Sequence, residues 1–144
     1  MSVRSDSKII ELQVDPDERL AAAVGGAARY LADEAGLGIE VVVEMQKSIV
    51  SVCQEAFEHL AGNHPHLEVT LTRFADRIEV ALAYQGGAAP AVGLDRITGM
   101  AQGLGIWSSA GSVLSGIDRV QYEARGTRTV TRLTKYLGRA PRIA

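Results

Sequence analysis

A glutamate and a histidine lie four residues apart near the middle of the chain, in the stretch QEAFEHL. On a helix this spacing puts both side chains on one face, so Glu55 and His59 are placed to act together. A carboxylate there could be a general base or an ordinary solvated side chain. His64 and His66 follow, and Cys53 precedes them. This spacing matches no standard zinc pattern and Cys53 lies on an apolar stripe, so we predict no metal site.

The composition is that of a protein with a hydrophobic core. The 144 residues fit a single domain, which we place over 1–144, with a core from about 8 to 137 and a mobile tail over 138–144. Hydrophobic residues make up 47% of the chain and aromatic residues only 5%, so aliphatic side chains must fill the core. The net charge of -2 argues against direct binding to nucleic acid. A single cysteine excludes an intrachain disulfide and fits a cytoplasmic protein.

One stretch without charge is long enough to cross a membrane. It runs from Ile97 to Ile117, but five glycines and four serines interrupt it. We therefore interpret it as a loop followed by a core helix and expect no membrane partner. The start of the chain has no long apolar block, so no signal peptide is expected.

The chain places its charges unevenly. From Asp118 onward there are seven arginines or lysines and two acids, whereas the rest of the chain has eight bases and fifteen acids. Two interpretations stay open: a basic face for an acidic protein partner, or a set of solvated strand positions.

The first half of the chain predicts a strand followed by two helices. Alternation predicts the strand over Lys8–Val14, and Asp15 is the candidate N-cap of a helix that ends near Gly36. A second helix begins at Ile39 or Glu40 and ends near the stretch AGNHP. Its apolar stripe consists of Val42, Met45, Ile49, Cys53, Phe57 and Leu60.

The second half predicts two hairpins separated by a glycine-rich loop. The first hairpin joins HLEVTLTRF to RIEVALAY, and the second joins DRVQYEA to RTVTRLTKYL. A third helix is predicted to begin within LGIWSSAGSVLSG, between them. Because the elements do not alternate as in a doubly wound fold, we predict an α+β two-layer sandwich, with a mixed or antiparallel sheet covered on one face by helices.

Three short motifs resemble the boxes of the GHKL ATPases, the fold shared by gyrase, histidine kinases and MutL. In the first, EAFEHL, Glu55 falls at the family's general base and His59 at its magnesium-binding asparagine. In the second, AYQGG, Gly86 is kept and Tyr84 stands where the family has its adenine-binding aspartate. The third combines GLGI, with Gly103, Leu104 and Gly105 at a helix start, and the later Gly-Thr turn that contains Thr127.

Within that family the chain is most similar to the small anti-sigma-factor serine kinases of bacterial partner switching. The resemblance covers about Leu12 to Leu137 and depends on element order and spacing more than on intact motifs. It implies ATP and Mg²⁺ as cofactors, with His59, Tyr84, Gly86, Gly103, Leu104, Gly105 and Thr127 at the nucleotide. It implies a sigma factor or an anti-sigma antagonist as protein partner, and a homodimer.

The two substituted boxes change what the resemblance implies. Magnesium prefers oxygen ligands, and an imidazole is a poor substitute for the asparagine that His59 replaces. A tyrosine at position 84 cannot accept the adenine hydrogen bond as an aspartate does. We therefore expect a partner-binding regulator with weak or lost kinase activity, in which Glu55 acts as a base only if the enzyme is active. The alternatives are an active ATP-dependent serine kinase, and a phosphorelay or scaffold module.

Overall fold

The computed structural model describes residues 7–86, 106–110 and 114–138, with the backbone alone at 106–110 and at position 125. These residues form two helices and six strands. In chain order they are β1 (Lys8–Val14), α1 (Glu18–Glu34), α2 (Ile39–Phe57), β2 (Leu67–Arg73), β3 (Arg77–Gln85), β4 (Ile106–Ala110), β5 (Arg119–Arg125) and β6 (Arg128–Tyr136). The proposed tail from residue 139 onward lies outside the described residues.

All six strands belong to one antiparallel sheet in the order β1-β2-β3-β6-β5-β4. Alternate residues of β2, β3, β5 and β6 are buried on one face, and α1 contacts β1, β2 and β3, so the helices cover that face. The predicted α+β class is confirmed, with an antiparallel sheet. This arrangement is shared by several unrelated folds.

The hairpin of β2 and β3 follows the predicted alternation. Leu67, Val69 and Leu71 are buried on β2, whereas Glu68 between them is exposed. On β3 the buried positions are Ile78, Val80, Leu82 and Tyr84. Side chains alternate between the two faces of a strand with period two. These buried positions therefore define the face of the hairpin that packs against the helices.

Helix α1 begins two residues later than predicted. Asp17, and not Asp15, is the N-cap: its side chain accepts a hydrogen bond from the backbone N–H of Arg19 at 2.8 Å. The end of the helix agrees with the prediction, because Gly36 follows the C-cap with a left-handed φ of 84° that suits glycine.

Helix α2 buries most of its predicted apolar stripe. Val42, Met45, Ile49 and Cys53 are at most 1% exposed. Each fully buried aliphatic side chain contributes roughly 1.5–3 kcal/mol. The helix ends at Phe57, so Leu60 lies beyond it and pairs instead with the end of β3.

The third predicted helix is wrong in the part of the chain that the structure describes. Residues 106–110 form β4, which pairs antiparallel with β5 along its whole length. A turn then follows at residues 114–118, and it packs directly on α2. Ser48 donates a hydrogen bond to the carbonyl oxygen of Ser115 at 2.6 Å, and Gly116 has a φ of 76°. A Cβ at Gly116 would lie 2.5 Å from the backbone nitrogen of Met45.

Candidate functional site

Glu55 and His59 meet at the C-terminal end of α2. Glu55 Oε2 and His59 Nε2 lie 3.7 Å apart, and both side chains are partly buried, at 34% and 25% exposed. His59 lies two residues past the last helical residue, and its backbone N–H donates to the carbonyl of Ala56 at 2.9 Å. The carboxylate and the imidazole are therefore held as a pair by the last turn of the helix.

Tyr84 lies on the face of β3 that the helices cover. Its side chain is 1% exposed. Burial, with smaller contributions from Tyr122 and Glu55, raises the pKa of Tyr84 to about 12, so the phenol is neutral at physiological pH. No described residue forms a hydrogen bond with the buried Tyr84 hydroxyl. The position thus presents a buried aromatic ring and an uncharged hydroxyl.

Gly86 joins the end of β3 to the loop that leaves α2. It forms a bridge with Leu60, and the N–H of Ala61 donates to the carbonyl of Gln85 at 2.9 Å. A Cβ at Gly86 would come closer than 3.0 Å to the His59 carbonyl oxygen and to the ring of Tyr84. Only glycine fits this junction without displacing backbone atoms.

The turn between β5 and β6 reaches the same place. The N–H of Gly86 donates to the carbonyl of Thr127 at 2.9 Å. The Thr127 hydroxyl donates to Gln85 Oε1 at 3.0 Å. The turn itself needs Gly126, whose φ is 59°. The backbone at the end of β3 is therefore held from two sides, by the α2 loop and by this turn.

The structure thus brings together five of the residues that the sequence singled out. Glu55 comes from α2 and His59 from the loop just after it. Tyr84 comes from β3, Gly86 follows β3 directly, and Thr127 belongs to the β5–β6 turn. The other three, Gly103, Leu104 and Gly105, lie outside the described residues. Sequence reasoning did not single out Gln85, which links the α2 loop to the turn. The sequence could have indicated Gln85 by its position between Tyr84 and Gly86, two residues of the second motif.

The remaining reactive groups near this site do not form a metal centre. Among the described residues, no group of three or more His, Cys, Asp and Glu side chains could hold a metal ion. Cys53 is buried in the core, and burial raises the pKa of its thiol to about 12. The thiolate that would bind metal or act as a nucleophile is therefore disfavoured.

Some of the basic residues of the last hairpin contact acids of this same chain. Three of them form ion pairs at nitrogen–oxygen distances from 2.9 to 3.8 Å. The pairs are Arg128–Glu68, Arg132–Glu79 and Lys135–Asp118. These contacts favour the interpretation of solvated, internally balanced strand positions over that of a basic docking face.

Comparison with known proteins adds no relative. No protein-family model matches the sequence, and no curated protein matches it either. Neither α1 nor α2 is long and apolar enough to cross a membrane.

Proposed function

We propose that this chain is a protein-binding regulator of the partner-switching type, built on a GHKL-like ATPase fold whose nucleotide chemistry is weak or lost. Its partner would be a sigma factor or an anti-sigma antagonist. The observation that carries the proposal is Tyr84, a buried and neutral side chain at the position where the resemblance puts a nucleotide-binding carboxylate.

The element order is compatible with this proposal. Two helices precede a hairpin, and a final hairpin completes the sheet by pairing β6 with β3. The C-terminal end of α2, the end of β3 and the β5–β6 turn then adjoin one another. These are three of the places that the resemblance assigns to the nucleotide boxes.

The side chains present do not fit Mg-ATP as the resemblance would require. The ring of Tyr84 lies beside Gly86 and is buried, at the position where the resemblance puts a carboxylate that binds the base. Its hydroxyl is buried without a partner among the described residues and cannot act as an ionised acceptor. Glu55 contacts the imidazole of His59, which supplies nitrogen where Mg²⁺ prefers oxygen. We therefore derive no phosphoryl-transfer step for this chain.

What remains is a folded surface that can recognise a protein. Recognition of a partner would not require catalysis, because one fold can carry sites of different function. The regulator would then act by sequestering its partner, and its affinity for that partner should be independent of ATP.

The test is a binding titration against the sigma factors and small antagonist proteins encoded by the same genome. Each purified candidate is titrated by calorimetry with and without Mg-ATP. The proposal predicts a saturable complex with at least one candidate and a Kd that nucleotide leaves unchanged. Absence of a complex with every candidate would contradict it.

A phosphorylation assay separates the alternatives. Transfer of labelled phosphate from ATP to a serine of the antagonist, lost in Glu55→Gln, would establish the active kinase instead. Acid-labile phosphate on His59, lost in His59→Gln, would establish the phosphorelay module. The proposal predicts neither product.

A further inference from the structure

A polar cleft lies at one end of the sheet, beside exposed positions of β2, β3 and β6. Its volume is about 110 Å³. The cleft is formed between the loop before β2, the end of β3 and the start of β6. The polar side chains that line it, apart from the buried Tyr84, are His64, His66, Glu68, Gln85 and Arg128.

The hydrogen bonds of His66 require that its ring carry two protons. His66 Nδ1 lies 2.7 Å from the carbonyl oxygen of His64, and a carbonyl oxygen can only accept. His66 Nε2 lies 3.3 Å from Glu68 Oε2, and an ionised carboxylate can only accept as well. Both ring nitrogens must donate, so His66 is an imidazolium in this geometry.

The charged neighbours favour that state. The His64 carbonyl, then Glu68, and at longer range Asp15 raise the pKa of His66. Arg128, then His66, lower the pKa of Glu68, so its carboxylate stays ionised. Two acids face His66: Glu68, two residues later, and Asp15, just after the end of β1. Arg128 on β6 acts on His66 indirectly, because it pairs with Glu68. The ring centroid of His64 lies 5.9 Å from that of His66.

The cleft therefore holds more positive than negative charge. Glu68 shares its two oxygens between Arg128 Nη2, at 2.9 Å, and His66 Nε2. Among the side chains that line the cleft, two cations on one carboxylate leave an excess of one positive charge, which Asp15 offsets from outside the lining.

Hydrogen-bond donors remain on the walls of the cleft. A guanidinium carries five N–H groups, and the contact with Glu68 engages the Nη2 end of Arg128. Gln85 accepts from Thr127 through Oε1, so its NH₂ group is the donor that it can offer. These donors and the excess charge define a complement for an anion.

We propose that this cleft binds a small oxyanion of the phosphate or carboxylate type. The donors are the Arg128 guanidinium, the Gln85 amide and the His64 ring, and the imidazolium of His66 balances Glu68. A volume of about 110 Å³ holds several water molecules. It is well below the roughly 300–1,000 Å³ typical of sites for drug-sized ligands, and it suits a small ion.

The cleft adjoins the position that the resemblance assigns to the nucleotide, because Gln85 accepts a hydrogen bond from Thr127. Tyr84 contributes to its wall, but Gln85 and Glu68 alternate with buried strand positions and are exposed on the other face of the sheet. The proposed anion site therefore does not depend on the function proposed above.

The experiment is an NMR titration of the full chain with inorganic phosphate and, separately, with acetate, at constant ionic strength set by chloride. Saturable shifts at His64, His66 and the Gln85 side-chain amide are expected with at least one of the two ions. The two arms distinguish phosphate from carboxylate chemistry. Shifts that do not saturate with either ion would overturn the proposal.

The pH arm uses acetate, which carries the same charge at pH 6 and pH 8. Binding should weaken as the pH rises through the raised pKa of His66, because His66 then loses the proton that balances Glu68. Equal affinity below and above the titration of the His66 ring, followed in the same NMR spectra, would contradict the role assigned to His66.

Variants locate the site. Arg128→Gln should weaken binding about tenfold, as loss of one charge-assisted hydrogen bond predicts. The matched control is Arg132→Gln, on the same strand and outside the cleft lining, where Arg132 pairs with Glu79 at 3.8 Å. The control should bind like the parent chain. Equal effects of the two variants would show general charge attraction and overturn the proposed site.

Discussion

Replacing Gly86 with alanine should open the junction between the α2 loop and the end of β3. The added Cβ would lie less than 3.0 Å from the His59 carbonyl oxygen and 2.9 Å from two ring carbons of Tyr84. Gly86 does not have a left-handed φ, so the collision and not backbone strain is the perturbation. One of the colliding atoms belongs to the backbone, and the ring is packed in the core, so neither can move aside alone.

The magnitude follows from what must separate to relieve the collision. The Leu60–Gly86 bridge and the hydrogen bonds Ala61–Gln85 and Gly86–Thr127 hold the junction. Each lost backbone hydrogen bond reduces stability by about 1 kcal/mol, and partial exposure of the Tyr84 ring adds a similar amount. We therefore expect the free energy of unfolding to fall by roughly 2–4 kcal/mol, a large part of the roughly 5–15 kcal/mol of a typical domain.

Urea unfolding followed by circular dichroism measures this change. The control is Gly38→Ala at the N-cap of α2, where φ is -66° and no atom of the described residues lies within 4 Å of the place an added Cβ would take. An N-cap glycine exchanged for alanine should alter stability by about 1 kcal/mol or less. If Gly86→Ala proves no less stable than Gly38→Ala, the junction is not packed as described.

Three further predictions test other parts of the molecule. In urea unfolding, Gly26→Ala should raise the free energy of unfolding by up to about 1 kcal/mol. Gly25→Ala should be about 1–3 kcal/mol less stable than Gly26→Ala, because a Cβ at position 25 would lie 2.6 Å from Val50 Cγ2. Equal stability of the two variants would refute this packing. Tyr84→Phe should leave the free energy of unfolding unchanged or raise it by about 1 kcal/mol, since the buried hydroxyl lacks a partner among the described residues; a loss above this amount would reveal a hydrogen bond. Because the folded pKa of His66 is raised, its contribution to stability should be complete below about pH 6.5 and be lost as pH rises through the folded pKa; the same pH dependence in His66→Gln would contradict this.

The local pattern of apolar residues was sufficient to predict the strands and helices that bury one face. Alternation in β2 and β3 identified the buried positions through Tyr84, and the stripe on α2 identified its core side. These patterns succeed because burial repeats every two residues on a strand and about every 3.6 on a helix. The α1 N-cap was misplaced because Asp15 and Asp17 both flank Pro16, and only the folded backbone shows which carboxylate caps the helix.

The sequence failed where distant segments decide the outcome. Residues 106–110 are rich in serine and small side chains, and their strand depends on pairing with β5, which no local period reveals. Of the candidate site, the sequence could name Glu55, His59, Tyr84, Gly86 and Thr127 from motif spacing. It could not show that Gly86 touches the His59 carbonyl, nor that Arg128 is paired with Glu68, because both contacts join segments far apart in the chain.

Whether nucleotide chemistry is weak or lost can be decided by a calorimetric titration of the unmodified chain with Mg-ATP. The buried Tyr84 and the imidazole of His59 predict no saturable binding in the micromolar range. The variant His59→Asn with Tyr84→Asp, which restores the family's two groups, should gain binding if the motifs are correctly aligned. Saturable micromolar binding of Mg-ATP by the unmodified chain would contradict the proposed loss.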